Sequence, residues 1–282
     1  MRILLTNDDG IRAPGIEALH DALIDAHGHH GGPIADVVQV CAPLTVQSAT
    51  SHGVTFHQPL MKSEVRVSER MEGIAVDGRP ADCVKLALSN LWPEIYGPGE
   101  LPDLVISGMN AGANVGINVI YSGTVAAALE AAFLGVPAIA VSLHLAEEEP
   151  LWDVAARHAR EAIETLLRVG GGDEGARALD RHTCLNVGIP RTERDGPTPP
   201  IVACPMNTHG LVDAYERRTS PAGDIYYWAA GHGLDFRESS EGADVEYMHR
   251  GCITVTPLRY DLTDLEALER WRVRIERAHA RA

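Results

Sequence analysis

The chain has 282 residues, 45% of them apolar and 22% charged, with a formal net charge of -15. This composition supplies a globular core and argues against a disordered chain, while the negative balance argues against a nucleic-acid polymer as an obligate partner. A small anionic substrate stays open, because local backbone N–H groups or a bound cation can reverse the field inside one cleft.

The length exceeds a usual domain of roughly 100–150 residues, yet α/β folds of this size can form one unit with an appendage. We expect a core over residues 1–200 and a C-terminal extension over 201–282. Cys41, Cys83, Cys184, Cys204 and Cys252 show no C-x-x-C spacing and read as small buried hydrophobes. Without a signal peptide or an apolar run of ~18 residues, no membrane partner is expected and the cytoplasm is the simplest compartment.

The chain opens with an apolar run, Ile3-Leu4-Leu5, that stops at two adjacent carboxylates, Asp8 and Asp9. Such a run reads as a buried parallel strand, and open α/β sheets bind ligands at the carboxyl ends of their strands. Asn7, Asp8 and Asp9 are equally good turn formers, so capping and chemistry both remain open from this stretch alone. Pro14 suits a first helical turn, and Ile16, Leu19, Leu23 and Ile24 carry helical spacing up to His27-Gly28. His27-Gly-His-His30-Gly-Gly-Pro33 reads as a solvated loop, with a metal-binding tract as the alternative.

A second strand spans Ala35 to Ala42, followed by a polar loop, Gln47-Ser48-Ala-Thr50-Ser51-His52. Val65–Val67 and Gly73–Val76 are expected to pair as a hairpin or sheet edge. Pro80 opens a helix with Val84, Ala87, Leu88 and Leu91 on one stripe, and Asp82 suits its positive N-terminus. Asp103–Ser107 is the next strand. It runs into a loop dense in glycine and carboxamides, containing Asn110, which leads through Ser122, Gly123 and Thr124 into an alanine-rich helix from Val125 to Leu134. A loop entering a helix N-terminus in this way can hold a phosphate, and we take Ser122, Gly123 and Thr124 as candidate contacts. A plain helix cap by Ser122 or Thr124 is the alternative.

Strands at 137–143 and 183–187 flank a helix from Trp152 to Val169 that ends in Gly170-Gly-Gly172. This alternation predicts a three-layer α/β/α, Rossmann-like fold with a mostly parallel sheet. From Ile201 the texture changes to strands around Tyr226-Tyr-Trp228 and Ile253–Thr256. A charged helix over about 262–281 follows, with Leu265, Leu268, Trp271 and Ile275 on one stripe. This region either makes an oligomer contact or folds back on its own subunit.

Asp8 and Asp9, Ser48, and Asn110 thus lie on loops after three strands, and all offer oxygen. Two carboxylates, a hydroxyl and a carboxamide suit Mg²⁺ or Mn²⁺, whereas zinc or copper would call for His or Cys. A dication would also remove the repulsion between adjacent carboxylates.

The sequence resembles the SurE survival-protein 5'-nucleotidases. The resemblance rests on an ordered set: Asn7-Asp-Asp-Gly10, Ala13-Pro-Gly15, Ser48 after Ala42-Pro43, Pro80-Ala-Asp-Cys83, Ser107-Gly-Met-Asn110, Tyr121-Ser-Gly-Thr124, Ala140-Val-Ser-Leu143 and Val255-Thr-Pro-Leu258. It implies hydrolysis of nucleoside 5'-monophosphates, often of 3'-monophosphates and sometimes of short polyphosphate. The expected cofactor is one divalent ion per subunit, Mg²⁺ or Mn²⁺, held by Asp8, Asp9, Ser48 and Asn110. It further implies C-terminal extensions that pair subunits into a homodimer or tetramer. Gln47, Asn118 and Gly188 depart from residues common in the family. The expected attack is by metal-activated water; the leaving-group acid is not assigned by the sequence, a second bound water and His52 being candidates and an incidental loop histidine the alternative for His52. A covalent role for Asp8 and a non-catalytic nucleotide sensor are the rivals.

Overall fold

The computed structural model describes residues 1–145, 149–171, 179–194, 196–210, 214–230 and 238–280. In chain order these form β1 (Arg2–Thr6), α1 (Pro14–Leu23), β2 (Val37–Pro43), β3 (Lys62–Arg66), β4 (Glu72–Val76), α2 (Pro80–Leu86), α3 (Trp92–Tyr96), β5 (Leu104–Ala111), α4 (Gly123–Phe133), β6 (Ala138–Leu143) and α5 (Trp152–Gly170). There follow β7 (Cys184–Ile189), β8 (Ile201–Ala203), β9 (Ala214–Thr219), β10 (Ile225–Ala230), α6 (Asp244–His249), β11 (Ile253–Leu258) and α7 (Leu265–His279). Gly172, the last residue of the expected glycine-rich linker, and Arg281, the expected end of the last helix, lie outside the described residues.

One nine-stranded sheet runs β3-β4-β2-β1-β5-β6-β7-β11-β8. Strands β4, β2, β1, β5, β6 and β7 are parallel to one another, and β3 and β11 pair antiparallel to β4 and β7. Alternate side chains of the parallel strands enter two apolar layers. Ile3, Leu5 and Ile106 pack with α1 and α5 on one face, while Leu4 and Val105 pack with α2, α3 and α4 on the other. Burial on both faces is why these strands read as unbroken apolar runs. The alanines of α4 let its backbone lie close to the sheet. All five cysteines are free and buried, and burial pushes the Cys41 and Cys184 thiols up to about 12.

Helix α1 ends at Leu23, earlier than its periodicity predicts, because Asp25 takes a left-handed backbone with φ 52°. Its carboxylate accepts from the N–H groups of His30 (3.0 Å) and Gly32 (2.7 Å). The histidine tract is therefore a loop wound on Asp25, and among the described residues no group of three or more His, Cys, Asp or Glu is placed to hold a metal. Strand β5 runs four residues beyond its expected end at Ser107, since a bulge between Ser107 and Asn110 lets pairing with β6 resume. Among the described residues no helix is long and apolar enough to cross a membrane.

β9 and β10 form a separate antiparallel hairpin. Helix α7 buries none of its residues, so it does not fold back onto its own subunit as one of the two expectations had it. Its stripe of Leu265, Leu268, Trp271 and Ile275 stays exposed, as do Tyr227 and Trp228 on the hairpin.

Candidate active site

Strand β1 delivers Asn7-Asp8-Asp9-Gly10 to the carboxyl edge of the sheet. The Asn7 side-chain N–H donates to the Gly10 carbonyl (2.9 Å) and closes a turn in which Gly10 has φ +95°. Asp8 is 4% exposed, and one of its oxygens accepts from the Thr124 hydroxyl at 2.5 Å. Gly123 makes this approach possible, since a Cβ there would stand 2.9 Å from the Asp8 Cβ and 3.0 Å from Pro80 Cγ. Asp9 Oδ2 accepts from the Ala111 N–H at 2.9 Å.

Both carboxylates lie above their ordinary range. Burial pushes Asp8 up to about 6, with the Thr124 hydroxyl opposing and Asp9 adding to the rise. Burial likewise raises Asp9, opposed by the Ala111 N–H. Among the described residues no side-chain cation offsets either charge. Two adjacent, sequestered carboxylates without a counter-charge hold either a proton or a cation.

Neutral oxygens complete the surroundings. Asn110 is buried, and its side-chain N–H donates to the Gly112 carbonyl at 2.6 Å, which leaves Oδ1 without that partner. The loop bearing the exposed Ser48 is fastened at both ends: the Gln47 N–H donates to the Asp8 carbonyl (2.8 Å), and the Ser51 N–H and hydroxyl donate to Tyr121 and Ile120 carbonyls (3.1 and 2.7 Å). Asp8, Ser48 and Asn110 line one cleft of about 740 Å³, and Asp9 lines an adjoining recess with Gly10, Arg12 and Trp152. This all-oxygen set fits a hard dication.

The three helix-terminus residues divide their work. Ser122 caps α4 by accepting from the Val125 N–H at 3.0 Å, and it also lines the cleft. The Thr124 hydroxyl is buried and committed to Asp8, so its side chain is not free for a phosphate. Asp82 accepts from the Arg79 N–H and from Thr55, a structural role. His52 turns away from the cleft: its Nε2 is 2.8 Å from Glu130, which also takes the Lys85 ammonium at 2.9 Å. It therefore anchors the loop after Ser48 to α4 and is not placed to protonate a leaving group.

Of the departures from the family pattern, Asn118 lines the cleft and the Gln47 amide turns to Thr45. At Gly188 a Cβ would stand 2.3 Å from Met248 Cε and 2.6 Å from the Thr254 hydroxyl, so those neighbours occupy the space of a side chain. Sequence reasoning missed His144, Arg191 and His249, which line the same cleft. His144 directly follows β6 and Arg191 closely follows β7, so the strand-end rule that singled out Asp8 also points to them. His249, at the end of α6, carries no such signal.

A family profile described as "Survival protein SurE" matches residues 3–209. A protein named 5'-nucleotidase SurE from Heliobacterium modesticaldum is 41% identical over 273 residues, which cover 95% of this chain and 90% of that protein. A protein of the same name from Nitratidesulfovibrio vulgaris is 42% identical over 270 residues, covering 96% and 98%. The crystal structure of the SurE protein from Aquifex aeolicus superposes with a TM-score of 0.72 at 31% identity, over 95% of this chain and 97% of that one. With the profile spanning most of the chain and relatives of this identity spanning nearly all of it, the chain belongs to the SurE family.

Proposed function

We propose that this protein hydrolyses nucleoside monophosphates to nucleoside and phosphate with a divalent ion, Mg²⁺ or Mn²⁺, held by Asp8, Asp9, Ser48 and Asn110. The observation that carries this reading is the pair of sequestered carboxylates without a protein cation, faced by neutral oxygens. The ion would supply Lewis-acid charge neutralisation and a water of lowered pKa. The chain's own part is positional. Thr124 orients Asp8, the Gly112 carbonyl takes the Asn110 side-chain N–H and leaves the amide oxygen for the ion, and the fastened loop keeps Ser48 on the wall of the same cleft. Ser122 and Gly123 would offer donors to the non-reacting phosphate oxygens. Asp8 already accepts the short bond from Thr124, which favours a ligand role over covalent attack.

Phosphate release from AMP and p-nitrophenyl phosphate tests the reading. EDTA is expected to abolish release and added Mn²⁺ or Mg²⁺ to restore it. A metal-independent rate would refute it, and nucleotide binding without release would favour the sensor.

We further infer a cytoplasmic homodimer or tetramer built through the hairpin and α7, whose aromatic and aliphatic residues form an exposed apolar surface of the kind that marks interfaces. Trp271 is 58% and Leu268 45% exposed. Replacing both with Glu is expected to give a monomer in sedimentation velocity; an unchanged sedimentation coefficient would move the interface elsewhere.

A further inference from the structure

Glu130 is a carboxylate that the hydrolytic reading does not use. It lies in the body of α4 and is 5% exposed. A charge sequestered in this way is costly unless it is paired, and both of its oxygens are taken: Oε2 by His52 Nε2 at 2.8 Å and Oε1 by the Lys85 ammonium of α2 at 2.9 Å. Burial pushes this carboxyl up, but the bonds and charges of His52 and Lys85 outweigh it and hold the group below the ordinary carboxylate range. Because an ionised carboxylate can only accept, the His52 ring donates from Nε2. The same helix carries Thr124, which holds Asp8, so a segment tied to Glu130 is tied to the helix that orients Asp8.

The segment tied there is the one that presents Ser48. Ala49 and Ser51 have φ of 57° and 52°, a left-handed conformation that residues with a Cβ hold only when their surroundings impose it. The turn is therefore not self-supporting. Ahead of it the Gln47 N–H donates to Asp8; after it Ser51 reaches the Tyr121 and Ile120 carbonyls, His52 reaches Glu130, and Thr55 gives its N–H (2.8 Å) and hydroxyl (2.7 Å) to Asp82. The His52 bond goes to an ionised partner, and such bonds are roughly twice as strong as neutral ones. Ser48 itself is exposed, so packing does little to fix it.

We propose that His52 and Glu130 are positioning residues for the metal: their bond holds the strained turn that presents Ser48, so that metal affinity depends on a pair outside the ligand set. Lys85 keeps Glu130 ionised and thus available as the acceptor. The proposal rests on the metal reading in taking Ser48 as a ligand.

Two measurements test it on the full-length protein. Mn²⁺ affinity is measured by titration calorimetry for wild type, His52→Ala, Ser48→Ala and the double variant. His52→Ala is expected to weaken binding roughly tenfold, the lower end of what losing a supporting residue costs a metal site, and to add nothing once Ser48 is alanine. His52→Gln, which can still donate to Glu130, is expected to recover most of the loss. An equal loss in both backgrounds, or none in either, overturns the proposal, since a merely structural role would not act through Ser48. Amide hydrogen exchange over residues 47–55 is then compared in EDTA. Faster exchange at Ser51 and His52 is expected in His52→Ala and not in His52→Gln; unchanged exchange in His52→Ala also overturns it. Wild type that binds no Mn²⁺ would instead sink the metal reading, and exchange in EDTA would still decide whether His52 holds the loop.

Discussion

Asp8→Asn is expected to lower metal-dependent turnover on the order of a thousandfold, the rate equivalent of the several kcal/mol that a bound metal contributes to such a reaction. Asparagine keeps the shape and can still accept from Thr124, so the loss is of charge alone. The same substitution is expected to leave metal-free folding intact or improved. The folded-state pKa of Asp8 is raised to about 6 from 3.8, so the folded state keeps a proton that the unfolded chain gives up. Stability attributable to this group is therefore highest below about pH 4 and falls by about 3 kcal/mol as pH rises to about 6, where the full cost of a buried charge is reached. Metal binding needs the ionised form and is expected to weaken below that same pH. Thermal melts in EDTA from pH 4 to 7 should show a steeper slope in wild type than in Asp8→Asn, which keeps only the contribution of the raised Asp9. A variant that kept wild-type kcat at limiting Mg²⁺ would remove Asp8 from the site.

Gly15→Ala is expected to destabilise the protein by about 3 kcal/mol or more, at the upper end of overpacking costs. Gly15 sits in the first turn of α1, and a Cβ there would stand 2.1 Å from the Met109 carbonyl oxygen and 2.9 Å from Trp152 Cζ3. The tryptophan could swing aside, but the oxygen is main chain and belongs to the residue before Asn110. Relief of the clash thus displaces a proposed ligand along with the helix. A fall in Tm of roughly 6–12 °C follows from the size of the chain, together with weaker Mn²⁺ binding in calorimetry. A melt within about 2 °C of wild type would show that α1 can shift without cost.

The sheet was legible because its strands are buried on both faces. Ile3-Leu4-Leu5 and Leu104–Ile106 have nowhere to be but a core, and Asp8 and Asp9 at the end of one such run announce the sheet edge. The end of β5 was less legible. A bulge is a property of pairing with β6, and Gly108-Met109-Asn110 reads as a loop until that partner is present. The role of His52 was left open for a related reason: its partner, Glu130, is 78 residues away on α4.

The amino-acid sequence by itself determined the alternation of strands and helices, the oxygen chemistry of Asp8, Asp9, Ser48 and Asn110, and the family, because periodicity and residue type are local quantities. Only the tertiary structure decided which oxygens share a cleft, that Thr124 serves Asp8, that the Met248 and Thr254 side chains fill the space beside Gly188, and that His144, Arg191 and His249 line the same cleft. Each of these depends on distances between segments far apart in the chain, and those are set by how the layers pack.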